Sequence, residues 1–280
     1  MRLGSSQPAV SRILKTLRSA FADPLLVRVG AGMALSPLAQ ALVEPLEQLL
    51  LSIERLGSVG DFDPRRDAVQ FAIVVPDIVG VGLIPVLFPK LEAAPGVRLA
   101  LFGSERQALR DLLDGSVDVV VGAPPLEHPA LCTSMIPGDV QWRVVLGPGH
   151  PAWKRPIMTE ARWLQSTHLQ LVPHGSTNTP SALDELLAQR GLSRVVKVQL
   201  SYLAAVPEIL AAGKTIITVP APAAAWLCSR HALRSQPLPP ALGLPPLRLR
   251  MTWHAARQQD RAHRWLREVL RETLSKLIQV

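Results

Sequence analysis

Two periodicities divide this chain. Up to about residue 56 the apolar positions recur every three to four residues, as on helices. From Ala68 they gather into short β-branched runs separated by longer helical stretches. In the first part, Val10, Ile13, Leu14, Leu17 and Phe21 share one arc at about 100° per residue, while Gln7, Ser11, Arg12, Lys15 and Arg18 share the other. That pattern predicts an amphipathic helix. Ser6 is placed to cap it, and Pro8 falls in its first turn, where a missing N–H costs nothing. The apolar arc is expected to pack on a small core. The polar arc offers amide, hydroxyl and cationic donors suited to base edges and phosphates, or simply a basic face for water. Ser36 then caps a long helix over 37–57, in which Leu42, Leu46, Leu49, Ile53 and Leu56 recur at alternating steps of four and three. Such spacing makes either a short coiled-coil seam or the inner face of a helix packed on its own domain. Pro45 should bend it. Residues 57–66, rich in Gly, Ser, Asp, Pro and Arg, read as a hinge.

The second part alternates strand and helix. Strands are predicted at 69–75, 97–102 and 117–121, with helices at 78–91 and 105–113 between them. This βαβαβ order implies a parallel sheet with helices on both faces. A second unit repeats the theme, with strands at 143–146, 168–172, 195–200 and 215–219, and helices at 181–190, 203–211 and 221–228. The Pro-rich stretch 236–246 reads as a crossover. It leads to a strand at 247–253, expected to rejoin the first lobe, and to a terminal amphipathic helix over 261–278. The expected fold class is therefore α/β, with two lobes joined by crossing segments around a hinged cleft.

Composition narrows the function. The 280 residues, 48% hydrophobic, are enough for two domains. A formal charge of +8 favours an anionic partner, nucleic acid first. Residues 1–28 carry Arg2, Arg12, Lys15, Arg18 and Arg28 against Asp23 alone. The basic stretch 248–276 reads as a solvated helix face. Cys132 and Cys228 are the only cysteines and give neither a disulfide framework nor metal spacing, which suits a reducing cytoplasm. The chain shows no signal peptide and no apolar run of the roughly 18 residues a span needs. No Walker loop, G-x-S-x-G or H-E-x-x-H is present, so neither an enzyme nor a cofactor or metal is expected.

Ligands of open α/β sheets bind beyond the carboxyl ends of the strands. Here those places are Pro76, Asp77, Ile78, Gly103, Ser104 and Gly122 in the first lobe, and His174, Thr177, Asn178, Ser201, Tyr202 and Pro220 in the second. Most precede a helix, whose free N–H groups suit a carboxylate. Asp77 and Ser104 are equally good helix caps, and Tyr202, the only tyrosine, equally suits a core position.

The wording of the first helix adds a resemblance. Ser-Gln-Pro-Ala-Val-Ser-Arg at 6–12, Leu17, Asp-Pro-Leu-Leu-Val-Arg at 23–28 and Gly-Met at 32–33 resemble the LysR-type transcriptional regulators, most of all their nodulation-regulator branch, which includes regulators answering to aromatic inducers. Trp253-His254 and the run Ala262-His263-Arg264-Trp265-Leu266-Arg267 resemble the same branch. The resemblance implies a recognition helix reading double-stranded promoter DNA through Ser6, Gln7, Pro8, Ser11, Arg12, Lys15 and Arg18. It implies a wing at 26–35 carrying Arg28, and a linker helix pairing subunits into a homodimer or tetramer through the leucine seam. It also implies a periplasmic-binding-protein-like domain holding a small effector, aromatic or carboxylate. Only residues 1–5 precede the recognition helix, whereas the family carries roughly two more helices there. The expected organisation is a partial winged helix-turn-helix (1–36), a linker helix (37–60) and an effector domain (67–280). Within that domain, lobe 1 takes 67–142 and 247–280, and lobe 2 takes 143–246. The alternatives are a dimerising effector sensor without sequence-specific DNA binding, and a solute-binding protein or small-molecule enzyme on the same two-lobed fold.

Overall fold

A computed structural model describes residues 7–30, 32–56, 62–103, 107–123, 125–172 and 181–278, without the side chains of 47, 48, 50–56 and 182. The chain divides into two compact units, Met1–Asp61 and Phe62–Val280. In the first, helix α1 (Gln7–Phe21) leads into an antiparallel hairpin of β1 (Leu26–Val29) and β2 (Gly32–Leu35), and helix α2 (Pro37–Leu56) follows. Asp23 organises the corner between helix and hairpin. Its carboxylate accepts from the Leu25 backbone N–H at 2.7 Å and from the Ser36 hydroxyl. Ser36 in turn caps α2, accepting from the Ala39 N–H at 3.1 Å. Leu25 takes the left-handed region at φ 58°, which turns the chain sharply. The apolar arc of α1 does not pack as its periodicity predicts: no residue of the helix is buried, and Ile13 is 58% exposed.

The second unit contains two five-stranded sheets. The first has the order β4-β3-β5-β12-β6, built from β3 (Val69–Val74), β4 (Val97–Phe102), β5 (Val119–Gly122), β6 (Leu131–Met135) and β12 (Arg250–His254). Helices α3 (Asp77–Glu92) and α4 (Ala108–Asp114) lie between its early strands. The parallel core β4-β3-β5 follows the βαβαβ pattern, but β12 pairs antiparallel with both β5 and β6, so the sheet is mixed. The predicted return of the chain to the first lobe is therefore present. Strand β6 went unpredicted because Leu-Cys-Thr-Ser-Met has no apolar alternation and lies at the sheet edge.

The second sheet has the order β11-β7-β10-β8-β9. It comprises β7 (Trp142–Leu146), β8 (Thr167–Leu171), β9 (Val195–Leu200), β10 (Thr215–Pro220) and β11 (Arg234–Pro237). Strands β10, β8 and β9 are parallel, whereas β7 is antiparallel to β10 and β11. Helices α5 (Glu160–Gln165), α6 (Ala182–Gln189), α7 (Val206–Ala212) and α8 (Ala221–Arg230) complete the lobe. Ser181 and Asp184 form a reciprocal capping box on α6. Strand β11, Arg-Ser-Gln-Pro, is polar and ends in proline, which an edge position tolerates. Gly147 lets β7 run against α7, because a Cβ there would meet the Leu210 carbonyl oxygen at 1.9 Å.

The crossing segments and helix α3 join the lobes. The two crossing segments run antiparallel: Val140 and Leu247 exchange backbone bonds of 2.9 and 2.8 Å, and the Trp142 indole donates to the Pro245 carbonyl at 2.9 Å. Helix α3 serves both cores, sending Val79, Leu83 and Leu87 into the first while Ile78 and Val81 pack against the second. The terminal helix α9 (Arg261–Ile278) buries Leu266, Leu270, Leu274 and Leu277 in the first core. No helix among the described residues is long and apolar enough to cross a membrane.

Candidate functional site

The amphipathic pattern of α1 places Gln7, Pro8, Ser11, Arg12 and Lys15 on the helix surface, all exposed. Arg28 is exposed on β1 of the hairpin. Ser6 lies outside the described residues. Arg18 is committed locally: its guanidinium donates to the Pro24 carbonyl at 2.7 Å and to the Leu26 carbonyl at 3.3 Å, tying the helix to the hairpin. Its charge remains on the surface, but its donors are partly used. On α2, Leu42 is half-buried and Leu46 and Leu49 are 50% and 59% exposed, while the side chains of Ile53 and Leu56 lie outside the described residues.

In the second unit a cavity of about 140 Å³ opens at the carboxyl ends of β8 and β10. Leu169, Leu171, Val219 and Pro220 form its apolar walls, Trp142 and Leu244 contribute from the crossing segments, and Ile78 reaches in from α3 of the other lobe. Its polar groups are Gln170, Ser181, Arg194 and Thr218. Gln170 is 7% exposed, and its amide has no hydrogen-bond partner among the described residues. Thr218 accepts the Trp163 indole N–H at 3.2 Å, which leaves its own hydroxyl proton to donate.

The cation of this cavity is already compensated. Arg194 grips Asp184 in a two-point pair of 2.6 and 3.1 Å, donates to the Ser181 hydroxyl at 3.2 Å, and lies over the Trp163 ring at 5.6 Å. Burial pushes the Asp184 carboxyl up, but the bonds from Arg194 and Ser181 prevail and hold its pKa at about 2. Beneath lies His168, fully buried, whose Nε2–H donates to the Trp163 carbonyl at 2.9 Å. Burial, reinforced by Arg194, lowers its pKa to about 4.

The structure distributes the strand-end residues unevenly. Ile78 and Pro220 line the cavity. Asp77 binds across the lobes instead, its carboxylate accepting the backbone N–H of Leu203. Pro76 precedes α3, Gly122 is buried in β5 opposite Arg250, and Gly103 is exposed at the end of β4. Ser201 is half-buried and Tyr202 is 54% exposed, so the tyrosine is not a core residue. Ser104, His174, Thr177 and Asn178 lie outside the described residues. Sequence reasoning missed Trp142, Gln170, Ser181, Arg194 and Thr218. Little in the sequence pointed to them, since Gln170 alternates with Leu169 and Leu171 as on a half-buried strand.

Known proteins share this architecture. Residues 65–275 match the family described as the LysR substrate binding domain. The chain is similar to the HTH-type transcriptional activator NahR of Pseudomonas putida, 28% identical over 96% of this chain and 88% of that protein. It is similar to the HTH-type transcriptional regulator SyrM of Rhizobium meliloti, 30% identical over 95% of this chain and 80% of that protein. Among solved structures it is similar to a probable transcriptional regulator of Pseudomonas aeruginosa, with a TM-score of 0.75 and 29% identity over 95% of this chain and 87% of the other. The regulatory domain of MexT, a transcriptional activator in Pseudomonas aeruginosa, gives a TM-score of 0.64 at 25% identity, over 73% of this chain and 97% of that domain.

Proposed function

From the premise that this chain belongs to the LysR-type transcriptional regulators, we propose that it couples DNA binding through α1 and the hairpin to a small aromatic effector held in the cavity between β8, β10 and α3. One observation carries the effector reading: Ile78 comes from one lobe and the remaining lining from the other lobe and the crossing segments. A ligand filling that space touches both lobes, so its binding energy differs between their open and closed arrangements. Apolar walls with an unpartnered amide at Gln170 suit a single ring bearing a hydroxyl or carbonyl. They suit a carboxylate less well, because Arg194 is already neutralised by Asp184 and no other cation lines the space among the described residues. On the DNA side, Arg12 and Lys15 are phosphate contacts and Gln7 and Ser11 base-edge donors. The exposed Leu46 and Leu49 of α2 support pairing of two copies.

The test measures DNA affinity with and without phenol, benzamide and benzoate. In Arg12→Ala/Lys15→Ala, DNA affinity should fall with a shallower salt dependence, by roughly two released counterions, and ligand affinity should be unchanged. In Gln170→Leu the neutral ligands should weaken by about tenfold with DNA affinity retained. Benzoate binding more tightly than both neutral ligands would reject the neutral-ring assignment. A second reading, a dimerising effector sensor without sequence-specific DNA recognition, draws on the exposed apolar arc of α1. Equal affinity for operator and scrambled duplex would favour it.

A further inference from the structure

The second sheet ends at β11, and along this edge lies a groove of about 500 Å³. One wall is β11; the other is the loop that follows β7 and carries Lys154, Arg155 and Pro156. Four cations line it, Arg143, Lys154, Arg155 and Arg234, and the lining contains no Asp or Glu. None of the four pairs with a carboxylate among the described residues, although the exposed arginines Arg66, Arg190 and Arg248 each do. Like charges gathered around a concavity repel one another and focus a positive potential into it.

Two of these guanidiniums are held in place. Arg234 donates to the Trp153 carbonyl at 2.6 Å and lies over the Trp153 ring at 5.4 Å. Arg143 donates to the Ser235 hydroxyl at 3.2 Å. The opposing loop is fixed as well, since the buried amide of Gln236 donates to the Arg155 carbonyl at 2.8 Å. Proline at 156 and 237 stiffens both walls. Two anchored guanidiniums beside two further cations, with no internal counter-charge, form the chemistry that recognises phosphate groups. The groove has the size of a small-molecule site, which favours a compact ligand over a duplex.

We propose that this groove is a second ligand site, distinct from the aromatic cavity, for a compact polyanion bearing phosphate groups. The probe is inorganic pyrophosphate, titrated calorimetrically into the full chain at near-physiological, constant ionic strength. Saturable binding of one pyrophosphate per chain is expected. It should weaken by at least about tenfold in Arg155→Gln/Arg234→Gln and be unchanged in Arg110→Gln, an exposed arginine of α4 outside the groove. Because Arg234 also stacks on Trp153, the single Lys154→Gln variant, whose side chain is exposed, serves as a second reading and should weaken binding several-fold. Absence of saturable binding, or an equal loss in Arg110→Gln, overturns the proposal. Loss of random-duplex affinity in the double variant without any pyrophosphate binding would instead give the groove to nucleic acid. None of these outcomes depends on the aromatic cavity, so this proposal and the effector assignment fail separately.

Discussion

Three buried histidines fix local structure by staying neutral. His150 accepts the Ala152 backbone N–H at Nδ1 and pairs with Ser166 at Nε2, at 3.1 Å each. His263 accepts from Arg267 at Nδ1 (2.7 Å) and donates from Nε2 to the Asp118 carbonyl (3.0 Å). His168 has a bare, buried Nδ1. A proton on any Nδ1 meets a donor or a dry wall, and burial lowers all three pKa values from 6.5. The unfolded chain takes up protons below pH 6.5 that the folded chain refuses, so stability is full above that pH and falls as pH drops toward the folded value, about 4 for His168. Asp184 acts in a separate window: its pKa of about 2 keeps its contribution intact until pH falls below 3.8. All six tryptophans lie in the second unit, so their fluorescence reports that unit alone. Its unfolding free energy should fall by at least about 2 kcal/mol between pH 6.5 and 4.5. A flat profile across that window would contradict the neutral assignments. None of this was legible beforehand, because a histidine's titration depends on partners distant in sequence.

At the scale of elements, the two lobes account for part of the apolar surface of α3, while Ile84, Val86 and Phe88 stay exposed. The sequence of α3, Asp-Ile-Val-Gly-Val-Gly-Leu-Ile-Pro-Val-Leu-Phe-Pro-Lys-Leu-Glu, is apolar nearly all round, which marks a helix covered on more than one side. The periodicity located the helix but could not say that Ile78 and Val81 face the second core. Its first residue, Asp77, does not cap the helix as the sequence suggested, since Pro76 holds the cap position without a side-chain bond; only its place as a strand-end polar group was legible. Its use as a latch on Leu203 was not, because 126 residues separate the two. Asp77→Ala should lower hydrogen-exchange protection of the Leu203 amide by about tenfold or more, and Asp77→Asn by less, since the amide oxygen still accepts. Unchanged protection in the alanine variant would remove the latch. Strands β6 and β11 show the converse limit: edge strands need bury little, so their sequences carry little pattern.

The whole molecule adds one question of assembly. Leu46 and Leu49 repeat along α2 at coiled-coil spacing, and both are exposed in a single copy. Apolar side chains in register on a helix are stabilised by removal from water, at about 25 cal/mol per Å². In Leu46→Glu/Leu49→Glu, sedimentation equilibrium should show dissociation at least about tenfold easier than in the unmodified chain. An oligomer of unchanged stability would exclude the seam as its interface.

Local pattern along the chain set the alternation of strand and helix, the return of the last strand to the first sheet and the polar face of α1, whereas the hairpin after α1 was implied only by the family resemblance as a wing. The first three follow from local periodicity, capping residues and connection rules, which act over a few residues. Family membership was also legible, through the run at 6–33. Long-range packing put Gln170, Thr218 and Trp142 in one cavity, set Asp184 against Arg194 and carried the Asp77 carboxylate across the lobes. Packing likewise brought the distant Arg234 to Arg143, Lys154 and Arg155 in one groove. The physical reason is the same in each case. Burial and charge compensation depend on which atoms surround a group, and in a two-lobed fold with two crossings those atoms come from segments far apart in the chain.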